Sequence, residues 1–185
     1  MQVHPVRLAI IAGALSTLLA LPAAQAQASL KPITVTDRQS HAEALDKEAA
    51  LYETSDWSKI RKAAFLREKA AGLREDGDTL KAASLYWAAR DRYYSDDPTT
   101  ARDLMVRSAE YALAVGDVVT AANAFTDAAY ISTDLRDVAN TKYYATKARL
   151  LTGSPMLTGS QRNDLLSRLA VGGLTADRVA SLGTR

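Results

Sequence analysis

Two stretches of this chain carry the same pattern 39 residues apart. Gly77-Asp78 is followed by Ala82, Tyr86 and Ala89, and Gly116-Asp117 is followed by Ala121, Phe125 and Ala128. In each copy the small, aromatic and small residues are spaced by four and then three positions, so they share one stripe of a helix. The glycine ahead of each stripe suits the left-handed position that ends the preceding helix. A pattern of this kind, repeated at this distance, is the mark of stacked helical hairpins.

The rest of the chain reads the same way. Ser40 with Glu43 fits a capping box that opens a first helix carrying Ala42, Leu45 and Ala49. A second helix runs from Trp57 to about Glu75, a third over about 79–94 and a fourth from Pro98 to Ala114. Asp97 serves as the cap of the fourth and Pro98 as its first turn. A fifth helix covers about 118–133 and a sixth about 136–151. Thr158 with Gln161 caps a short helix stopped by Gly172-Gly173, and a last turn spans Thr175 to Leu182. No segment alternates with a period of two, so the expected class is all-α: antiparallel helical hairpins stacked into a short α-solenoid.

The first residues read as a leader rather than as part of the fold. A charge-free apolar run from Leu8 to Leu21 is broken by Pro22 and followed by small residues up to Ala26. That order predicts a secretory signal peptide over 1–26, with Ala28 offering a second cleavage point. The run falls short of the roughly 20 residues that a spanning helix needs. Residues 27–37 are expected to be an extended leader and 38–185 the helical domain. The chain is predicted to be exported, to the periplasm in a bacterium with two membranes and outside the cell otherwise.

Composition narrows the function. The chain has no cysteine, which removes disulfides, thiol catalysis, cysteine metal sites and a lipid-modified cysteine anchor. Its 23 basic and 21 acidic residues are interleaved, so there is no one-signed footprint for nucleic acid. His4 and His41 are the only histidines, and phosphate-loop and dinucleotide patterns are absent. Asp76-Gly77-Asp78 lacks the further oxygens of a calcium loop and reads as a turn with its own helix cap. No cofactor or metal is expected.

The repeated spacing resembles the tetratricopeptide repeat, most closely over 57–151. Besides the two small–aromatic–small stripes, Ala70 and Ala109 stand seven residues before the two glycines, where that family places a small residue. The chain departs from the family in its 39-residue spacing, longer than the usual 34 or so. A third unit also lacks the motif. The resemblance implies that ligand peptides lie along the first helix of each pair, on the concave face. That carries over to Arg67 and Arg74 in the first unit, to Asp103 and Val106 in the second, and to Asn140, Tyr143 and Lys147 in the third. Such a groove suits an acidic or C-terminal peptide, although Asp103 and Glu110 break its positive run. The expected function is a non-enzymatic protein-interaction scaffold for a peptide or protein partner. The alternatives are a self-associating structural module of the envelope and a helical enzyme acting on the cell wall.

Overall fold

The structure, a computed structural model, describes residues 34–53 and 56–182. The signal peptide expected over 1–26, and most of the leader after it, lie outside these residues. The described chain forms eight α-helices and no strand: α1 (Val35–Ala50), α2 (Trp57–Leu73), α3 (Thr79–Tyr94), α4 (Pro98–Ala114), α5 (Val118–Asp134), α6 (Val138–Thr152), α7 (Gly159–Val171) and α8 (Ala176–Ser181). None of them is long and apolar enough to cross a membrane.

Aspartates set the starts of the central helices. The carboxylates of Asp56, Asp78, Asp97, Asp117 and Asp137 each accept a backbone N–H of the first turn that follows. Such a cap is worth about 1 kcal/mol, and its charge also faces the positive end of the helix dipole. Asp97, Asp117 and Asp137 stand 20 residues apart. The 39-residue spacing of the two stripes is therefore two helix-and-turn units.

Three of the turns close in the same way. The N–H groups of Asp97, Asp117 and Asp137 reach back to the carbonyls of Arg92, Ala112 and Ser132 at 2.9, 2.8 and 2.8 Å. This six-to-one bond requires a left-handed residue just before the aspartate. Asp96, Gly116 and Arg136 fill that seat at φ 65°, 79° and 57°, and Gly173 fills its counterpart after α7 at φ 66°. Gly77 does not: the chain leaves α2 through an extended Arg74 and turns without a left-handed glycine there. The expected equivalence of Gly77 and Gly116 therefore holds for the aspartate cap but not for the glycine.

The first helix begins earlier than expected. Thr34 and Asp37 form the capping box, with Asp37 N–H donating to Thr34 Oγ1 and Thr34 N–H to Asp37 Oδ2, both at 3.1 Å. Ser40 lies within the helix on its exposed side. Residues 35–37 thus belong to α1 rather than to an extended leader.

Each helix from α1 to α6 packs against the next, α8 packs on α6, and the short turns make neighbours antiparallel. The core is rich in alanine, and Ala82, Ala89, Ala121 and Ala128 of the two stripes are at most 1% exposed. The larger fillers are Leu85, Met105, Phe125, Ile131 and Leu169. Phe125 stacks on Tyr144 with ring centroids 6.3 Å apart and planes inclined by 15°. Beyond these neighbour contacts, α3 packs on α5 and α5 on α7. Among the described residues no comparable packing joins α2 to α4 or α4 to α6. The odd-numbered helices thus pack on one another from α3 through α7, the even-numbered ones only at α6 with α8, and the candidate site lies on the odd-numbered side.

Candidate functional site

Four depressions succeed one another from α1 across α3 and α5 to α7, each sharing lining residues with the next, and together they outline a groove. Trp87 belongs both to a hollow between α1 and α3 and to the next one along α3. Arg90 and Tyr94 join that hollow to a central cleft of about 460 Å³ between α3 and α5. Tyr130 and Arg168 then join the cleft to a hollow of about 500 Å³ between α5 and α7. Four of the eight tyrosines, Tyr86, Tyr93, Tyr94 and Tyr130, line the central cleft.

These side chains come together through helical spacing. Tyr86, Arg90 and Tyr93 follow one another by four and three positions on α3, and Asp127 and Tyr130 face them from α5. The Tyr86 hydroxyl donates to Asp127 Oδ2 at 2.6 Å, and Arg168 Nη2 donates to Asp127 Oδ1 at 2.5 Å. Arg168 also bonds Asn123, and its own carbonyl accepts the Tyr130 hydroxyl. One residue of α7 thus ties that helix to α5.

The floor is polar, and its tyrosines stay protonated. Burial, reinforced by the Asp127 charge, pushes the Tyr86 hydroxyl up to about 12. The bond from Tyr93 to Asp134 Oδ2, at 2.5 Å, does the same for Tyr93, also to about 12. Burial raises Tyr130 as well. All three hydroxyls are therefore donors at neutral pH and do not ionise.

Arg90 is the exception. Among the described residues its guanidinium makes no hydrogen bond and no ion pair; it rests on the rings of Trp87 and Tyr94, 4.8 and 5.9 Å from their centroids. Arg67 approaches the same indole at 5.4 Å, but from an internal position.

The residues expected to form the groove from sequence divide between two places: Arg67 and Arg74 line the α1–α3 hollow from below, whereas Asn140, Tyr143 and Lys147 lie on α6. Arg67 and Arg74 are only 6% and 5% exposed. Arg67 donates to Asp91 Oδ2 at 2.8 Å and to Glu53. Arg74 donates to Asp46 Oδ2 at 2.9 Å and to Asp78 Oδ2 at 3.1 Å. Burial works against the Arg74 charge, but the two carboxylates outweigh it and raise its pKa. Both arginines face the underside of the α1–α3 hollow with their guanidiniums committed to internal pairs. Asn140 supports the cap of α6, its amide donating to Asp137 Oδ2 at 2.6 Å. Tyr143 is exposed and meets the Tyr144 ring edge-on at 5.3 Å. Lys147 lies over both Tyr143 and Phe125, at 4.8 and 5.1 Å. These three belong to α6 and do not line the groove. Of the pair on α4, Asp103 is engaged by Arg102 at 3.0 Å, and Val106 packs on the core.

Sequence reasoning missed Tyr86, Arg90, Tyr94, Tyr130 and Arg168 as site residues. The available signal was the aromatic and basic stripe on α3 itself, the helix after the repeated Gly-Asp rather than the one before it. Comparison of the chain with protein-family models, characterised sequences and solved structures gives no match.

Proposed function

We propose that this protein is an exported, non-enzymatic interaction scaffold that holds an extended segment of a partner protein in the groove across α1, α3, α5 and α7. The observation that carries this reading is the succession of adjoining hollows walled by Trp87, Tyr94 and Tyr130, built on helices packed firmly from behind. Tyrosine and tryptophan offer large contact areas with few torsions to freeze, and side chains fixed in advance lower the entropy lost on binding. The groove crosses four helices of one layer. At roughly 8–10 Å between packed helices it is about 30 Å long, which accommodates roughly nine residues of extended chain. The hairpins are proposed to be tetratricopeptide-like units with lengthened helices, recognising their ligand on the opposite layer from the one that resemblance implies. The signal-like pattern of residues 1–26 supports export, and in a bacterium with two membranes the periplasm is the proposed location.

Screening the processed protein against immobilised decapeptides, with amide NMR shifts recorded for the best binders, tests this reading. Shifts should concentrate on Trp87, Arg90, Tyr94 and Tyr130, and a paired Tyr94→Ala, Tyr130→Ala change should abolish binding without loss of helicity. Shifts confined to Tyr143 and Lys147 would move the site to α6 and overturn the proposal. A second reading, self-association, has the exposed Leu150, Met156 and Val171 at the C-terminal end in its favour. It requires a mass that grows with concentration in light scattering.

A further inference from the structure

The charges in the groove name the chemistry of its occupant. Asp127 is matched by Arg168, and Asp91 and Glu53 are matched by Arg67. Asp134 accepts the Tyr93 hydroxyl. Glu43 and Lys47 add one charge of each sign to the α1–α3 hollow. At the junction of the next two hollows stands Arg90, partly buried, whose guanidinium makes no hydrogen bond and no ion pair among the described residues, since the adjacent Asp91 is committed to Arg67. The planar fork of five donors on Arg90 is suited to a carboxylate, which it can hold through two parallel bonds. Trp87 and Tyr94 hold the group in place through its face, leaving its N–H edge for a ligand.

The position of Arg90 along the groove adds a second constraint. The groove continues from Arg90 in both directions, toward Ile60 and Trp87 on one side and toward Tyr130 and Val171 on the other. A chain terminus seated on Arg90 would leave half of this surface empty, whereas a chain passing through covers all of it. We infer that the occupant is an extended peptide segment with an acidic residue in its interior, its carboxylate on Arg90 and its apolar side chains against the aromatic walls on both sides. A phosphate monoester fits less well, because it brings nearly two negative charges to a single free guanidinium. This inference rests on the groove reading above and specifies its ligand.

Three pools of fluorescein-labelled decapeptides, randomised over alanine, leucine, valine and proline, separate the possibilities by fluorescence anisotropy. The first pool is acetylated and amidated with a central glutamate, the second has glutamine there, and the third lacks an acidic residue but ends in a free carboxylate. The glutamate pool should bind the processed protein about tenfold or more tightly than the glutamine pool, as a charge-assisted bond at a partly desolvated site implies. Arg90→Gln should bring the ratio of the two pools' affinities to about one, with the helical circular dichroism retained. Equal binding of the first two pools would overturn the acidic inference and leave the groove standing. Preference for the third pool would overturn the internal placement. Failure of every pool to bind would remove the groove reading together with the inference.

Discussion

The first helices of this stack and its centre are joined by different chemistry. Between α1 and α2 the apolar cluster is small, Ala49, Ala63 and Leu66 with Leu45 and Tyr52 at its edge, and α2 joins the main core at α3 through Ala71. The joint is completed by arginines: Arg67 reaches Asp91, Arg74 reaches Asp46, and Arg92 reaches Glu68 at 2.7 Å. Asp46 also accepts the Ser84 hydroxyl at 2.8 Å, so α1, α2 and α3 meet at one carboxylate. Between α4, α5 and α6 the joint is instead alanine against alanine with Phe125, Met105 and Ile131 filling the gaps. A similar helix–turn frame is thus held by directional ionic contacts at one end and by close packing in the middle. Packing tolerates small shifts poorly but needs no particular partner. An ion pair fixes which residues meet, and it is costly once either member is lost.

The largest test of this contrast is Phe125→Ala. Its ring is 1% exposed and stacked on Tyr144, so truncation should cost about 3–5 kcal/mol in urea unfolding and affect the whole cooperative unit. Next, Arg67→Met should cost about 3 kcal/mol because it strands the Asp91 carboxylate in a buried position. Hydrogen exchange should place that loss in α1–α3 and spare α5 and α6. The decisive comparison is the pair Arg67→Met with Asp91→Leu, which should recover most of the stability because no buried charge is left unpaired; Glu53, the other partner of Arg67, is 44% exposed and stays hydrated. If the double variant is no more stable than Arg67→Met alone, the first joint is not governed by its ion pairs and the contrast fails.

The same contrast explains what the sequence reveals and what it conceals. The bounds of α3 and α4 are legible because their signals are local: an aspartate cap, a proline in the first turn and a stripe of small residues. The start of α1 is ambiguous because Thr34 with Asp37 and Ser40 with Glu43 both satisfy the capping pattern, and nothing in the sequence ranks them. Arg67 and Arg74 read as surface residues because arginine is seldom buried unless paired. Their partners, Asp91 and Asp46, stand 24 and 28 residues away on other helices. Nor does a hairpin pattern say which layer closes up. That depends on how α3, α5 and α7 fit together, and it decides that the groove runs over Arg90 and Tyr130 rather than over Asn140 and Tyr143.

A third joint, between α5 and α7, combines the two chemistries and offers a smaller test. Gly172 has an ordinary helical φ of −76°, so its backbone would accept any residue. An added Cβ, however, would lie 1.7 Å from Tyr130 Cε1. Gly172→Ala should therefore cost about 1–3 kcal/mol through steric displacement alone. Because Tyr130 is also a wall of the groove, the variant should loosen α7 in hydrogen exchange and weaken decapeptide binding together, while α1–α3 keep their protection. Loosened α7 with unchanged binding would show that the Tyr130 wall contributes nothing to the ligand.

The smallest expected effect concerns alkaline pH, where the tyrosine–carboxylate bonds between α3 and α5 should respond. Tyr86 and Tyr93 are each raised from 10 to about 12 in the folded protein, Tyr86 by burial and Asp127, Tyr93 by its bond to Asp134. The unfolded chain then loses these protons first, so the folded state binds more protons across this window and stability falls as pH rises. The contribution is fully present below pH 10 and is lost as pH climbs through about 12. Thermal melts taken across that window should show a declining Tm whose slope is reduced by Tyr86→Phe and reduced further by adding Tyr93→Phe. Phenolate absorbance should show two fewer late-titrating tyrosines in the double variant than in the wild type, because Tyr130 and Tyr144, raised by burial, remain. A slope unchanged by both substitutions would mean that the α3–α5 contact is held by its packed alanines alone, extending the chemistry of the centre across the floor of the groove.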